Sequence, residues 1–189
     1  SRCVLLARPF KDTMDINVVT TVPFPINDVF LAMRDKMPAL ADFMPNIESI
    51  TVESRDEIEG EIQLVNRWTG AATEIPVIAR GFIDPASVYW LDHARWLTEG
   101  SICHWRLEMG FMSDRIRCSG TTCYISTGAS ETQMKISGAL ELNLKGLVPR
   151  LVMGKATTAI ERFIGKLIEP NFQKTADALS AYLASQRDG

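Results

Sequence analysis

Both histidines and three of the four tryptophans of this 189-residue chain lie in WLDHARWLTEGSICHWRLEM, residues 90–109. Histidine exchanges protons near neutral pH and is the usual general acid or base. Tryptophan offers a large apolar face with a single N–H. The stretch therefore reads either as a catalytic cluster or as the wall of a space that holds a hydrophobic molecule. Strand register separates the two readings. With Glu99-Gly100 at the centre of a two- or four-residue hairpin turn, Trp90 faces Met109, Asp92 faces Leu107, Ala94 faces Trp105 and Trp96 faces Cys103, all on one side. His93 then faces Arg106 and Arg95 faces His104 on the other side. A three-residue turn would exchange the two faces.

On this register the histidines share a polar, solvated face with two arginines, and the tryptophans share an apolar one. Carrying the count across the Ser113-Asp114 turn adds Cys118, Gly120, Thr122 and Tyr124 to the tryptophan side. Asn66 and Trp68 have the same parity as Ile62 and Leu64 and join them. The inward aromatics fit a packed core and a cavity lining equally well. Asp92 is more informative, because a carboxylate on an apolar face must find a hydrogen-bond partner or stay near a cavity mouth. The candidate ligand-binding residues are thus Asn66, Trp68, Trp90, Asp92, Trp96, Trp105, Leu107, Met109 and Tyr124, with Phe163 from the C-terminal helix.

These residues need elements to carry them. TMDINVVTTVPF (13–24) is a β-branched run stopped by Pro23 and Pro25. PINDVFLAMRDKM (25–37) has a helix signature, with Pro at its start, Asp28 in the first turn and apolar residues at three- and four-residue steps, and Pro38 ends it. PALADFMPN predicts a second short helix with Leu40, Phe43 and Met44 turned inward. From Ile47 to Leu144 closely spaced strands predict an antiparallel meander: IESITVES, EIQLVNRW, ATEIPVIARGFI, SVYWLDHARWL, SICHWRLEMGFM, RIRCSGTTCYIS and ETQMKISGALELNL. The last alternates most cleanly, with Thr132, Met134, Ile136, Gly138, Leu140 and Leu142 on one face. A long amphipathic helix follows, with Phe163 on its apolar stripe; Pro170 is expected to kink or break it, and Phe172, Ala176, Leu179 and Leu183 resume the stripe.

The totals narrow the function classes. A chain 46% hydrophobic and 23% charged is ordinary for one globular domain. Residues 1–13 read as a tail and 14–186 as a single ligand-binding domain. The net charge of -3 arises from mixed basic and acidic residues with no basic stripe, so nucleic acid is not an expected partner. No stretch is long and apolar enough to span a bilayer, which leaves only transient membrane contact. Cys3, Cys103, Cys118 and Cys123 form no CxxC, so reduced thiols and a cytoplasmic location are expected. GxSxG, HExxH and Gly-rich phosphate loops are missing, so no metal or other cofactor is expected.

The order strand, two short helices, antiparallel meander and long C-terminal helix resembles the helix-grip fold of the START-like superfamily. That superfamily includes the birch-pollen-allergen class and bacterial polyketide cyclase/dehydrase and lipid-transport proteins. VPFPINDVFLAM, LVNRW, WLDHARW, CHWRLEM, ISGALELNL and GLVPRLVMGKATTAIERFIGKLI carry the resemblance, from Met14 to about Gln186. It implies an α+β fold in which a curved, six- or seven-stranded antiparallel sheet wraps around the C-terminal helix. It also implies a cavity between them for a hydrophobic or amphipathic small molecule. Binding or transport of a lipid-like molecule is the first expectation. A polyketide cyclase/aromatase-type enzyme and a protein-interaction module are the alternatives, and the residues favour binding over turnover because no clear base faces inward.

Overall fold

The computed structural model of the protein describes residues 13–71, 80–81, 83–143 and 153–187, part of the last stretch by its backbone alone. Seven strands are described: β1 (Thr13–Val22), β2 (Ile47–Ile58), β3 (Glu61–Gly70), β4 (Tyr89–Leu97), β5 (Ile102–Met109), β6 (Ile116–Gly128) and β7 (Glu131–Leu142). They form one antiparallel sheet in the order β1-β7-β6-β5-β4-β3-β2. Helices α1 (Ile26–Asp35) and α2 (Met37–Leu40) and a 3-10 turn (Ala41–Phe43) connect β1 to β2, and helix α3 (Met153–Arg187) ends the fold. This is the α+β architecture expected from the sequence. The strand expected over ATEIPVIARGFI lies largely outside the described residues, as do the tail and Leu144, and β3 pairs directly with β4.

The turns fix the register. Glu59 and Gly60 both have positive φ, 52° and 82°, and make the two-residue hairpin between Ile58 and Glu61. Thr98–Ser101 is a four-residue loop closed by the Leu97–Ile102 pair, with Gly100 and Ser101 at positive φ. The pairs across it are those expected: Trp90 with Met109, Asp92 with Leu107, Ala94 with Trp105 and Trp96 with Cys103. Cys118, Gly120 and Thr122 follow on the same face opposite Leu107, Trp105 and Cys103. The alternation then runs through Tyr124 to Met134, Ile136 and Leu140, all buried.

The helices differ from expectation in detail. α1 stops at Asp35, two residues early, and Met37 joins Pro38 in the first turn of α2, where proline's missing N–H is harmless. Phe43 is not turned inward: the 3-10 turn ends there and Met44 is extended, so Met44 takes the buried place. Phe43 is 40% exposed and meets Tyr182 of α3 edge-on at 6.4 Å. Pro170 neither breaks α3 nor interrupts its assignment. The apolar stripe beyond it, Phe172, Ala176, Leu179 and Leu183, packs into the core, and that packing holds the helix past the proline. At its far end Arg187 lies over the Phe24 ring at 4.4 Å and 4.0 Å from Asp28, tying α3 to α1.

One close approach shapes the interior. Gly120 and Gly138 are cross-strand partners, and the far edge of the Trp105 indole lies against both. A Cβ on Gly138 would stand 2.9 Å from Trp105 Cη2, and one on Gly120 would collide with Trp105 Cζ2 and the Ser137 carbonyl. Gly120→Ala should therefore destabilise the protein by about 2–3 kcal/mol. Gly154→Ala, where a Cβ would meet nothing within 4 Å, should stabilise it by about 0.5 kcal/mol. Urea unfolding midpoints of the two variants against the parent check both signs.

Candidate ligand cavity

A cavity lies between the inner face of the sheet and the helices that cover it. β3, β4, β5 and β6 supply Trp68, Trp90, Asp92, Trp96, Trp105, Leu107, Met109, Thr122 and Tyr124 to its wall. α1 and α2 add Met33 and Met37, and α3 adds Asn171, Phe172 and Thr175. The centres of water-sized atoms have about 80 Å³ in which to move. Extended by the radius of such an atom, this becomes roughly 300 Å³ for a compact shape, the lower end of the range for small-molecule pockets.

The aromatic residues are held rigidly. Trp68 and Trp90, directly opposed on β3 and β4, stack at 5.6 Å and 19°. Phe30 of α1 meets Trp96 and Tyr124 edge-on, each at 5.3 Å. Trp105 donates its Nε1–H to Thr122 Oγ1 at 3.1 Å and faces Phe172 of α3 at 5.4 Å. The wall is thus built of rings that hold one another, with Phe30 bracing Trp96 and Tyr124 from outside the lining.

Several polar atoms here have no partner. Trp68 Nε1, Trp96 Nε1, Asp92 Oδ1 and Asn171 Nδ2 are buried and unbonded. Asn66 is 1% exposed, sits opposite Asp92 across β3 and β4, and leaves its Oδ1 unbonded. Buried polar atoms normally find a bond, and these bare ones are grouped around an apolar cavity. Asn171 accepts one bond, from Asn46 Nδ2 at 2.7 Å, which links α3 to the segment before β2.

Electrostatics single out Asp92. It keeps accessible surface where it lines the cavity, yet burial without a compensating cation raises its pKa from an ordinary 3.8 to about 7. Burial first, and the charge of Asp92 second, push Cys118 up to about 12 and Cys103 well above its usual value. Tyr124 is likewise raised by burial, so these three groups keep their protons at neutral pH. Among the described residues no three His, Cys, Asp or Glu side chains converge as a metal site.

Of the residues singled out in the sequence, the structure brings Trp68, Trp90, Asp92, Trp96, Trp105, Leu107, Met109 and Tyr124 to the cavity wall. Asn66 points inward but is not part of the lining, and the Phe163 side chain lies outside the described residues. The histidines face outward. His93 stands opposite Arg106 and His104 opposite Arg95, as expected; His93 Nε2 is also 3.0 Å from Glu108 Oε2, and His104 Nδ1 is 3.0 Å from Thr121 Oγ1. Sequence reasoning passes over Asn171 and Thr175. Their signal is two polar residues one helical turn apart, both buried next to the Phe172–Ala176 stripe.

No protein-family model and no curated protein matches the sequence. Solved structures do. The Zhui aromatase/cyclase from Streptomyces sp. R1128 superposes with a TM-score of 0.63 at 16% identity, over 94% of this chain and 97% of that one. TTHA0849 from Thermus thermophilus gives 0.61 at 16% identity over 89% and 99%, respectively. The allergen Ara h 8.0201 gives 0.56 at 15% identity over 92% and 99%. Identities this low describe the fold alone, and the fold is the helix grip.

The raised Asp92 has a consequence for stability. Between about pH 4 and pH 7 the folded protein holds a proton that the unfolded chain has released, so stability falls as pH rises through this window. The full loss is about 4 kcal/mol at most, reached above pH 7. Asp92→Asn removes the titrating group. The variant should be more stable than the parent at pH 8, with the gap closing by pH 4, in urea unfolding followed at both pH values.

Proposed function

From this helix-grip fold, we propose that the protein binds and carries a hydrophobic or amphipathic small molecule in the cavity beneath α3. The observation that carries the reading is a rigid, tryptophan-lined hollow whose buried polar atoms lack partners within the protein. Trp68, Trp90, Trp96, Trp105, Leu107 and Met109 would take up the apolar body of the molecule. Transfer of its surface from water contributes about 25 cal/mol per Å². Asp92, Trp96 Nε1 and Asn171 would receive its polar end, where each new bond relieves a group already stripped of water.

A cyclase-type enzyme would use the same space, with Asp92 as its one candidate base, because burial lifts its pKa to about 7, where a side chain can take up and release a proton. Cys103 and Tyr124 hold their protons at neutral pH and offer no second base. Binding is the preferred reading because it needs only the hollow and its bare polar atoms. No helix among the described residues is long and apolar enough to cross a membrane.

N-phenyl-1-naphthylamine, uncharged at neutral pH, should bind with saturable 1:1 stoichiometry and a blue-shifted emission. Leu107→Trp, which fills the cavity from a half-buried position, should weaken it at least tenfold with little change in melting temperature. Native mass spectrometry of protein purified without detergent should show a hydrophobic passenger that solvent extraction releases. Unsaturable probe binding that Leu107→Trp leaves unchanged would overturn the proposal.

A further inference from the structure

We infer that the ligand carries a protonated amine or other organic cation, seated on Asp92 between the tryptophan faces of the cavity; this rests on the cavity being a binding site.

The argument is one of charge and register. Among the described lining residues Asp92 is the only side chain that can be charged near neutral pH, and no lysine, arginine or histidine accompanies it. The basic residues of β4 and β5, His93, Arg95, His104 and Arg106, alternate to the opposite face. A carboxylate placed among apolar groups without a cation is costly, and none of the described lining residues supplies one. A neutral polar contact would be met at less cost by Asn or Ser, as the neighbouring Asn66 and Thr122 show. A cationic guest is the partner that uses what is specific to a carboxylate.

The surroundings fit a cation in a second, independent way. On the inner face Asp92 has Trp90 and Ala94 as its neighbours along β4, and Asn66 and Leu107 across from it. Trp68 and Trp90 form a stacked pair on one side, and Trp105 lies opposite Ala94 on the other. Ala94 is the one small side chain in this row, between Asp92 and Trp96. Ring faces of tryptophan attract cations strongly once water is excluded. A single carboxylate flanked by indoles, with no competing positive charge among the described lining residues, suits an aryl- or alkyl-ammonium far better than a carboxylate or phosphate ligand, which Asp92 would repel. Burial lifts the pKa of Asp92 to about 7, and a bound ammonium would favour the ionised form.

Three probes of matched size decide the matter at pH 8: 2-(1-naphthyl)ethylamine, 1-propylnaphthalene and 3-(1-naphthyl)propionate, each in competition with N-phenyl-1-naphthylamine. The amine should bind at least tenfold tighter than the hydrocarbon and at least a hundredfold tighter than the acid. Asp92→Asn should bring the amine-to-hydrocarbon ratio to within about threefold of unity. If N-phenyl-1-naphthylamine itself fails to bind, the cavity reading falls and this inference with it. If it binds, but the wild-type protein takes the hydrocarbon or the acid as well as the amine, the cavity reading stands and the cation assignment alone is overturned.

Discussion

The interior of this protein depends on the Trp105 ring lying back against two facing glycines. Tryptophan is the largest side chain on the inner face, and an upright indole would occupy the space in front of β5. Gly120 and Gly138 remove the Cβ atoms that would hold it away from the sheet, and Thr122 fixes the ring by taking its N–H. Trp68 and Trp90 save space by the same logic, stacking on each other instead of reaching toward α3. The bulk of three indoles is thereby spent on the wall, and the middle is left open. A sheet with alanines at those two positions would have the same hydrophobic pattern and a different interior.

Polar chemistry inside the cavity runs against the fold's own stability. Asp92, two indole N–H groups and the amide of Asn171, with Asn66 buried beside the lining, all leave bonding capacity unused in a place without bulk water. Each such group costs free energy that a leucine or methionine would not. The outer face shows the ordinary arrangement by contrast, with His93, Arg106 and Glu108 clustered within 3.5 Å contacts and Arg67 lying over the Tyr89 ring. The bare groups are concentrated where the aromatics are.

The sequence showed more of the wall than of the space it encloses. Strand alternation is strict, so one turn length placed Trp90, Asp92, Trp96, Trp105 and Met109 on a single face, and Gly100 and Ser101 at positive φ supplied the four-residue loop that this required. Whether the face was filled or hollow could not be read from pattern, because it turns on how two glycines meet one ring across β6 and β7. Phe43 was misplaced for a related reason. A helical period does not extend into a 3-10 turn that stops after three residues. Asn171 went unnoticed because a search for apolar periodicity steps over polar residues on the buried face of a helix.

The bond between Asn46 and Asn171 holds one donor and one acceptor in use and leaves one of each idle. A side-chain amide has nearly the same outline when turned end for end. Rotating both together keeps a bond between them, now given by Asn171 to Asn46, and exchanges the idle nitrogen on α3 for an idle carbonyl. The contact that joins the long helix to the loop before β2 is therefore reversible in polarity at no loss of bonding. The roof of the cavity can thus present either a donor or an acceptor at Asn171 without moving the backbone.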